Sequence, residues 1–155
     1  MTSRTGAADA DLTEVIETGS AFARTLGPAL VSLGGGEVVL RVEAPETLHN
    51  HVGGPHAATL FGFAETAAAG VVVSVFEDLF RAGAVPLIKS AEIVYTAIAT
   101  GPVTATARFA GDESGVRASM AERGVAVFPV EITVATADGT ETARMHAQMA
   151  LKRFS

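Results

Sequence analysis

Cysteine and tryptophan are absent from this 155-residue chain, tyrosine occurs once, and lysine is scarce beside arginine. Without cysteine there is no disulfide, no thiolate nucleophile and no cysteine-ligated zinc site. With aromatic residues at only 6%, the stacking platforms used by single-strand nucleic-acid binders are missing. Eleven basic residues against 17 acidic ones leave a formal charge of −6, which disfavours non-specific binding to a phosphate backbone or an anionic membrane surface. Charged residues make up 18% and apolar ones 48%, the balance of one globular domain that buries most of its apolar surface. Met1 to Asp11 is small, polar and acidic and has no leader-like apolar core. Residues 1–10 are therefore expected to be loose, residues 11–155 to form the domain, and the protein to reside in the cytoplasm.

What is present is a succession of helix and strand patterns. A short helix is expected from Asp11, capped by Asp11 or Thr13, with Leu12, Val15, Ile16, Phe22 and Ala23 on its apolar face and Gly27-Pro28 at its end. Gly34-Gly35-Gly36 lacks the Lys-Ser/Thr of a phosphate loop and reads as a turn. Glu37 to Ala44 alternates as a half-buried strand, and Pro45 to Pro55 is a loop. After Gly83 the period is two throughout. Strands are expected at Leu87–Thr100, Val103–Ala110, Val125–Thr136 and Thr140–Arg153, with helical residues near Arg117–Arg123 and a hairpin at Asp138-Gly139. Pro129 suggests a bulge or an edge position. The fold class expected is α+β, a five-stranded antiparallel sheet curled around one long helix.

That helix, from His56 to about Phe80, is the centre of interest. Its small residues make it thin, and Glu65 is its only charge up to Phe76. About twenty apolar residues can span a bilayer, but a mid-span carboxylate, few Leu or Ile and no second such segment favour a buried central helix. A charge on such a helix needs either an ion-pair partner or a catalytic task. Just before it, Asn50-His51-Val52-Gly53-Gly54-Pro55-His56 places an amide, two imidazoles and two glycines at the helix mouth.

The order of elements, the Asn-x-x-Gly-x-x-His loop of Asn50, Gly53 and His56, and the acidic Glu65 nine residues after that His resemble the hotdog-fold thioesterase superfamily. The resemblance is to its phenylacetyl-CoA thioesterase-like branch, which includes members of unassigned function, and it covers about residues 37–153. It implies hydrolysis of an acyl-CoA thioester at a site shared between subunits of a homodimer or homotetramer, with no metal or other cofactor and with coenzyme A as part of the substrate. It implies that Glu65 is base or nucleophile, that Asn50 orients the carbonyl or the water, and that the first backbone N–H of the helix holds the thioester oxygen. That position is Ala57, followed by Ala58, where the family has Gly-Gly. An N–H survives the exchange wherever the backbone is helical. His56, His51, Gly53, Gly54 and Lys89 complete the candidate site, His56 beside the reacting groups and the others toward substrate.

Each has a plainer role. Glu65 can be an ion-pair partner, Asn50 a turn cap, His56 a local hydrogen-bonder, the glycines turn residues with positive φ, and Lys89 a solvated charge. Arg108, Arg117, Arg123 and Arg144 can meet phosphates or simply face water, and His146 reads as surface. Two other functions fit the same residues. His51 and Glu65 have the spacing of the His and Glu of hotdog hydroxyacyl dehydratases and enoyl hydratases. The Ala57-Ala58 departure also suits a non-catalytic acyl-CoA or small-ligand binding protein.

Overall fold

The computed structural model describes residues 7–155, with side chains from Leu12 onward. Met1 to Gly6 lie outside the described residues, and with them most of the segment expected to be loose. The first helix, α1, runs Ala7–Thr18, starting ahead of the position expected. It does not continue to Gly27. Ser20 caps a separate helix, α2 (Ala21–Leu26), by accepting the Ala23 amide at 3.0 Å, and Gly27 closes it at φ 69°.

Six strands follow in one antiparallel sheet, not the five expected. They are β1 (Ala29–Gly34), β2 (Glu37–Val42), β3 (Ala84–Tyr95), β4 (Val103–Phe109), β5 (Val125–Thr136) and β6 (Glu141–Arg153), in spatial order β1-β2-β4-β5-β6-β3. The additional strand is β1. Its register slips between Leu30 and Ser32, so Leu30 and Leu33 turn inward while Val31 is exposed. The bulge breaks the alternation by which a strand is recognised. The Gly34–Gly36 turn joins β1 to β2 with all three glycines at positive φ.

The sheet curls around α3 (Ala57–Val75), a helix long and apolar enough to cross a membrane by length and composition but mostly buried here. Phe63, Ala64, Ala67, Ala68, Val71 and Val72 on α3 are buried against Leu40, Ala105, Ala107, Ile132, Met145 and Met149 from the inner face of the sheet. Alanine and glycine on the helix let the strands come close. A Cβ at Gly70 would sit 3.3 Å from Val38 and 3.5 Å from Ile16.

The helix stops earlier than its composition suggests. Phe76 leaves helical geometry at φ −114°, and α4 (Glu77–Arg81) begins after it. The break turns the Phe76 ring into a cluster with Phe109 and Phe128, with centroids 5.4–5.5 Å apart. Arg117, from α5 (Glu113–Arg123), lies over the same ring at 5.4 Å and donates to the Val75 carbonyl at 3.4 Å. Pro129 is neither at a bulge nor on an edge strand. Its carbonyl accepts the Ala110 amide just past the end of β4. N–H and C=O of one strand residue point the same way, so the missing donor falls where β4 has ended.

On the outer face, Glu37, Arg108, Glu131, His146 and Glu92 stand in register across β2, β4, β5, β6 and β3. Arg108 bonds Glu37 at 2.6 Å and His146 bonds Glu131. Opposite charges on neighbouring strands support such a face.

Candidate functional site

The loop Pro45–Pro55 is built by Asn50. Its side-chain oxygen accepts the amides of Val52 at 3.0 Å and Gly54 at 3.3 Å, and its amide nitrogen donates to the Pro55 carbonyl at 3.4 Å. Its own backbone N–H donates to the Gly54 carbonyl at 2.8 Å. These bonds make Asn50 the organiser of the turn. Gly53 has φ +84°, as expected of a turn glycine. Gly54 does not have a positive φ. It is a glycine because the chain passes close by, and a Cβ there would lie 2.1 Å from the Ala99 carbonyl oxygen. His51 is exposed on the turn.

Two further residues of this region carry no motif in the sequence. His49 bonds the Ala44 carbonyl through Nε2 at 2.7 Å, bracing a residue held at φ 52°. Tyr95, at the end of β3, donates its hydroxyl to the Ala57 carbonyl at 2.9 Å. Its signal was faint, a lone tyrosine at the end of an alternating run.

His56 is the N-cap of α3. Its Nδ1 accepts the Ala58 amide at 2.9 Å, and its own amide donates to the Leu48 carbonyl, also at 2.9 Å. Thr59 donates its hydroxyl to the same Leu48 carbonyl at 2.9 Å. Ala57 is already helical, and its N–H has no acceptor among the described residues. A helix N-terminus with a free amide is suited to an anion or a polarised carbonyl oxygen.

Glu65 lies two turns further along α3, half-buried, and makes no hydrogen bond or ion pair among the described residues. Burial pushes its carboxyl above the ordinary value. Its neighbours one turn away are Phe61, Gly62, Ala68 and Ala69, all without charge. Phe22 of α2 covers Gly62, its Cζ 2.3 Å from where a Cβ would stand. The ring is 51% exposed, and alanine favours a helix over glycine by about 1 kcal/mol. Gly62→Ala is therefore expected to unfold in urea within about 1 kcal/mol of wild type, with Phe22 displaced. A much larger loss of stability would show that the ring cannot move.

Lys89 is remote from the helix mouth. It is the extra residue of a bulge in β3, exposed on the open edge of the sheet. The arginines are already engaged. Arg117 bonds both oxygens of Asp78, at 2.9 and 3.1 Å, and Glu113 at 3.0 Å. Arg108 is paired with Glu37, Arg144 with Glu141, and Arg123 donates to Ser119. His146 lies on the outer face beside Arg144 and Gln148, as expected. A separate cavity of about 420 Å³ lies between α5 and the start of β5, lined by residues such as Ser119, Arg123 and Val127. The described residues contain no cluster of three or more His, Asp or Glu suited to a metal ion.

A family described as a domain of unknown function, DUF4442, matches residues 11–151. No curated protein matches the chain in sequence. Among solved structures, a Pseudomonas aeruginosa protein of unknown function, described as a probable thioesterase, superposes with a TM-score of 0.78 at 23% identity, covering 94% of this chain and 96% of that one. The PaaI protein of the Escherichia coli phenylacetic acid degradation operon gives 0.71 at 17% identity, covering 96% and 94%. A mutant thioesterase from Staphylococcus aureus gives 0.71 at 16%, covering 86% and 99%. These likenesses show that the chain has the hotdog fold.

Proposed function

Because the chain belongs to the DUF4442 family and has the hotdog fold, we propose that it is an acyl-CoA thioesterase whose site is shared between two copies. The observation that carries this reading is Glu65, a half-buried carboxylate without a partner among the described residues, on a helix whose first amide has no acceptor among them either. Ala57 and Glu65 are separated by eight residues, which at about 1.5 Å per residue is roughly 12 Å along the axis. One thioester carbonyl does not bridge that distance. The carboxylate of one copy therefore works with the Ala57 amide of another.

The open edge of β3 supports such a pairing. Among the described residues it is unpaired over twelve residues, with Val85, Leu87, Val94 and Tyr95 exposed, and unpaired edges of this length are usually covered. In the reaction, the thioester oxygen accepts the Ala57 N–H as negative charge develops on it. Glu65 takes a proton from water as that water attacks the carbonyl carbon. The carbon–sulfur bond breaks, the thiolate of coenzyme A takes up the proton, and a carboxylic acid and the free thiol leave. A carboxyl with a raised proton affinity is a better base than a solvated one, and the apolar neighbours of Glu65 keep it so. Alanine at position 57 retains the donor because it lies within the helix. His56 sets the cap, Asn50, Gly53 and Gly54 shape the loop, and His51 is an exposed group available to the coenzyme.

The test is release of free thiol from short, medium, long and aryl acyl-CoAs, with light scattering alongside. Turnover of at least one class by a dimer or tetramer is expected. A folded oligomer without turnover would refute the activity, and an active monomer at micromolar concentration would refute the shared site.

A further inference from the structure

We infer that Tyr95 is a positioning residue whose hydroxyl holds the first turn of α3 so that the Ala57 amide stays free and correctly aimed. The inference rests on the reading above, in which Ala57 supplies the donor to the thioester oxygen.

The carbonyl of Ala57 and the N–H of Ala58 are the two ends of a single peptide group. Tyr95 donates to the first at 2.9 Å, and the second donates to His56 Nδ1 at 2.9 Å. A phenol from β3 and an imidazole from the cap thus clamp the same amide plane from opposite sides. Bonds in series polarise one another, so each strengthens the other. The adjoining backbone is pinned as well, since the His56 amide and the Thr59 hydroxyl both reach Leu48. Rotating the 57–58 peptide would swing the adjacent 56–57 peptide and carry the Ala57 N–H with it. The Ala58 amide is taken by His56, while the Ala57 amide at the tip of the helix has no acceptor among the described residues.

The hydroxyl is the informative part of Tyr95. The side chain is 45% exposed, so its ring contributes little to the core, yet its oxygen finds an acceptor in an element 38 residues away. Partial desolvation pushes the phenol above its ordinary value, in keeping with a hydroxyl that stays a donor.

Tyr95 is the only tyrosine in the chain, so biosynthetic incorporation of fluorinated tyrosines alters this position alone. Three measurements test the inference. In Tyr95→Phe, kcat on acyl-CoA is expected to fall about tenfold, equivalent to about 1.4 kcal/mol, with KM within about twofold. Amide hydrogen exchange at Ala58 is expected to speed up by a similar factor while the rest of the sheet is unchanged. With fluorinated tyrosines of increasing acidity, the alkaline limb of kcat should move to lower pH in step with the phenol. Unchanged kcat and unchanged Ala58 exchange in Tyr95→Phe would overturn the inference, as would faster exchange throughout the domain, which marks general loosening. No turnover by wild type, with faster exchange confined to Ala58 in the variant, would overturn the thioesterase reading and support the clamp.

Discussion

Glu65→Gln is expected to lower thioester turnover by about 10² or more while raising the melting temperature. The first effect is the usual loss when a positioned base is removed. The second follows from the surroundings of the carboxylate. It is half-buried among uncharged residues, makes no hydrogen bond among the described residues, and holds its proton more tightly than a solvated glutamate. Between its ordinary value of 4.5 and the raised folded value, the native state binds more protons than the unfolded chain. Stability therefore falls as pH rises through that window and stays lowered above it. Glutamine keeps the shape and removes the charge. Each kcal/mol so relieved raises Tm by about 2–4 °C for a domain of this size. The melting curves of wild type and variant should converge as pH is lowered, because protonated Glu65 carries no penalty. Calorimetry from pH 8 to pH 4 with thiol release at neutral pH checks both halves. A variant that is inactive and less stable at neutral pH would mean that Glu65 is a structural ion-pair partner after all.

Gly54→Ala is expected to damage the protein more than Gly53→Ala, although the two are neighbours in one turn. At Gly53 the added methyl meets open space, and the cost is that of holding alanine at φ +84°, about 1–2 kcal/mol. At Gly54 the methyl would stand 2.1 Å from the Ala99 carbonyl oxygen. That obstacle is backbone and cannot rotate away, so either the loop or the segment after β3 must shift. Overpacking of this kind costs about 1–3 kcal/mol and occasionally more. Here it also strains two bonds between Gly54 and Asn50 that shape the turn. Urea denaturation and turnover should show Gly53→Ala folded and mostly active, and Gly54→Ala impaired in both. Equal losses would remove the close approach as the reason for this glycine.

The period-two run after Gly83 and the thin helix with one charge made the fold class legible, because each rests on burial that the whole domain imposes. What escaped was set by local events without a compositional mark. The bulge at β1 scrambled its alternation. Ser20 restarted a helix, and Phe76 left one to fill an aromatic cluster that exists only in three dimensions. At the site, Glu65 and the Asn50–His56 loop were legible as chemistry. The Tyr95 and His49 contacts were not, because each depends on where a distant backbone carbonyl lies. Gly54 was identified as needed but for the wrong reason, since a close approach across the fold leaves no trace in neighbouring residues.

The row Glu37–Arg108–Glu131–His146–Glu92 and the core beneath it are written into the same strands at alternate positions. That interleaving makes β5 and β6 tolerant of one kind of change and intolerant of another. Substitutions on the outer row alter the surface without reaching the inner face. Loss or gain of one residue within a strand would instead transfer Ile132, Met145 and Met149 to water and bring Glu131 and His146 inside. Relatives of this chain should therefore diverge freely in outward charge and vary in length at the Gly34–Gly36 and Asp138-Gly139 turns, while the lengths of the paired strands stay constant.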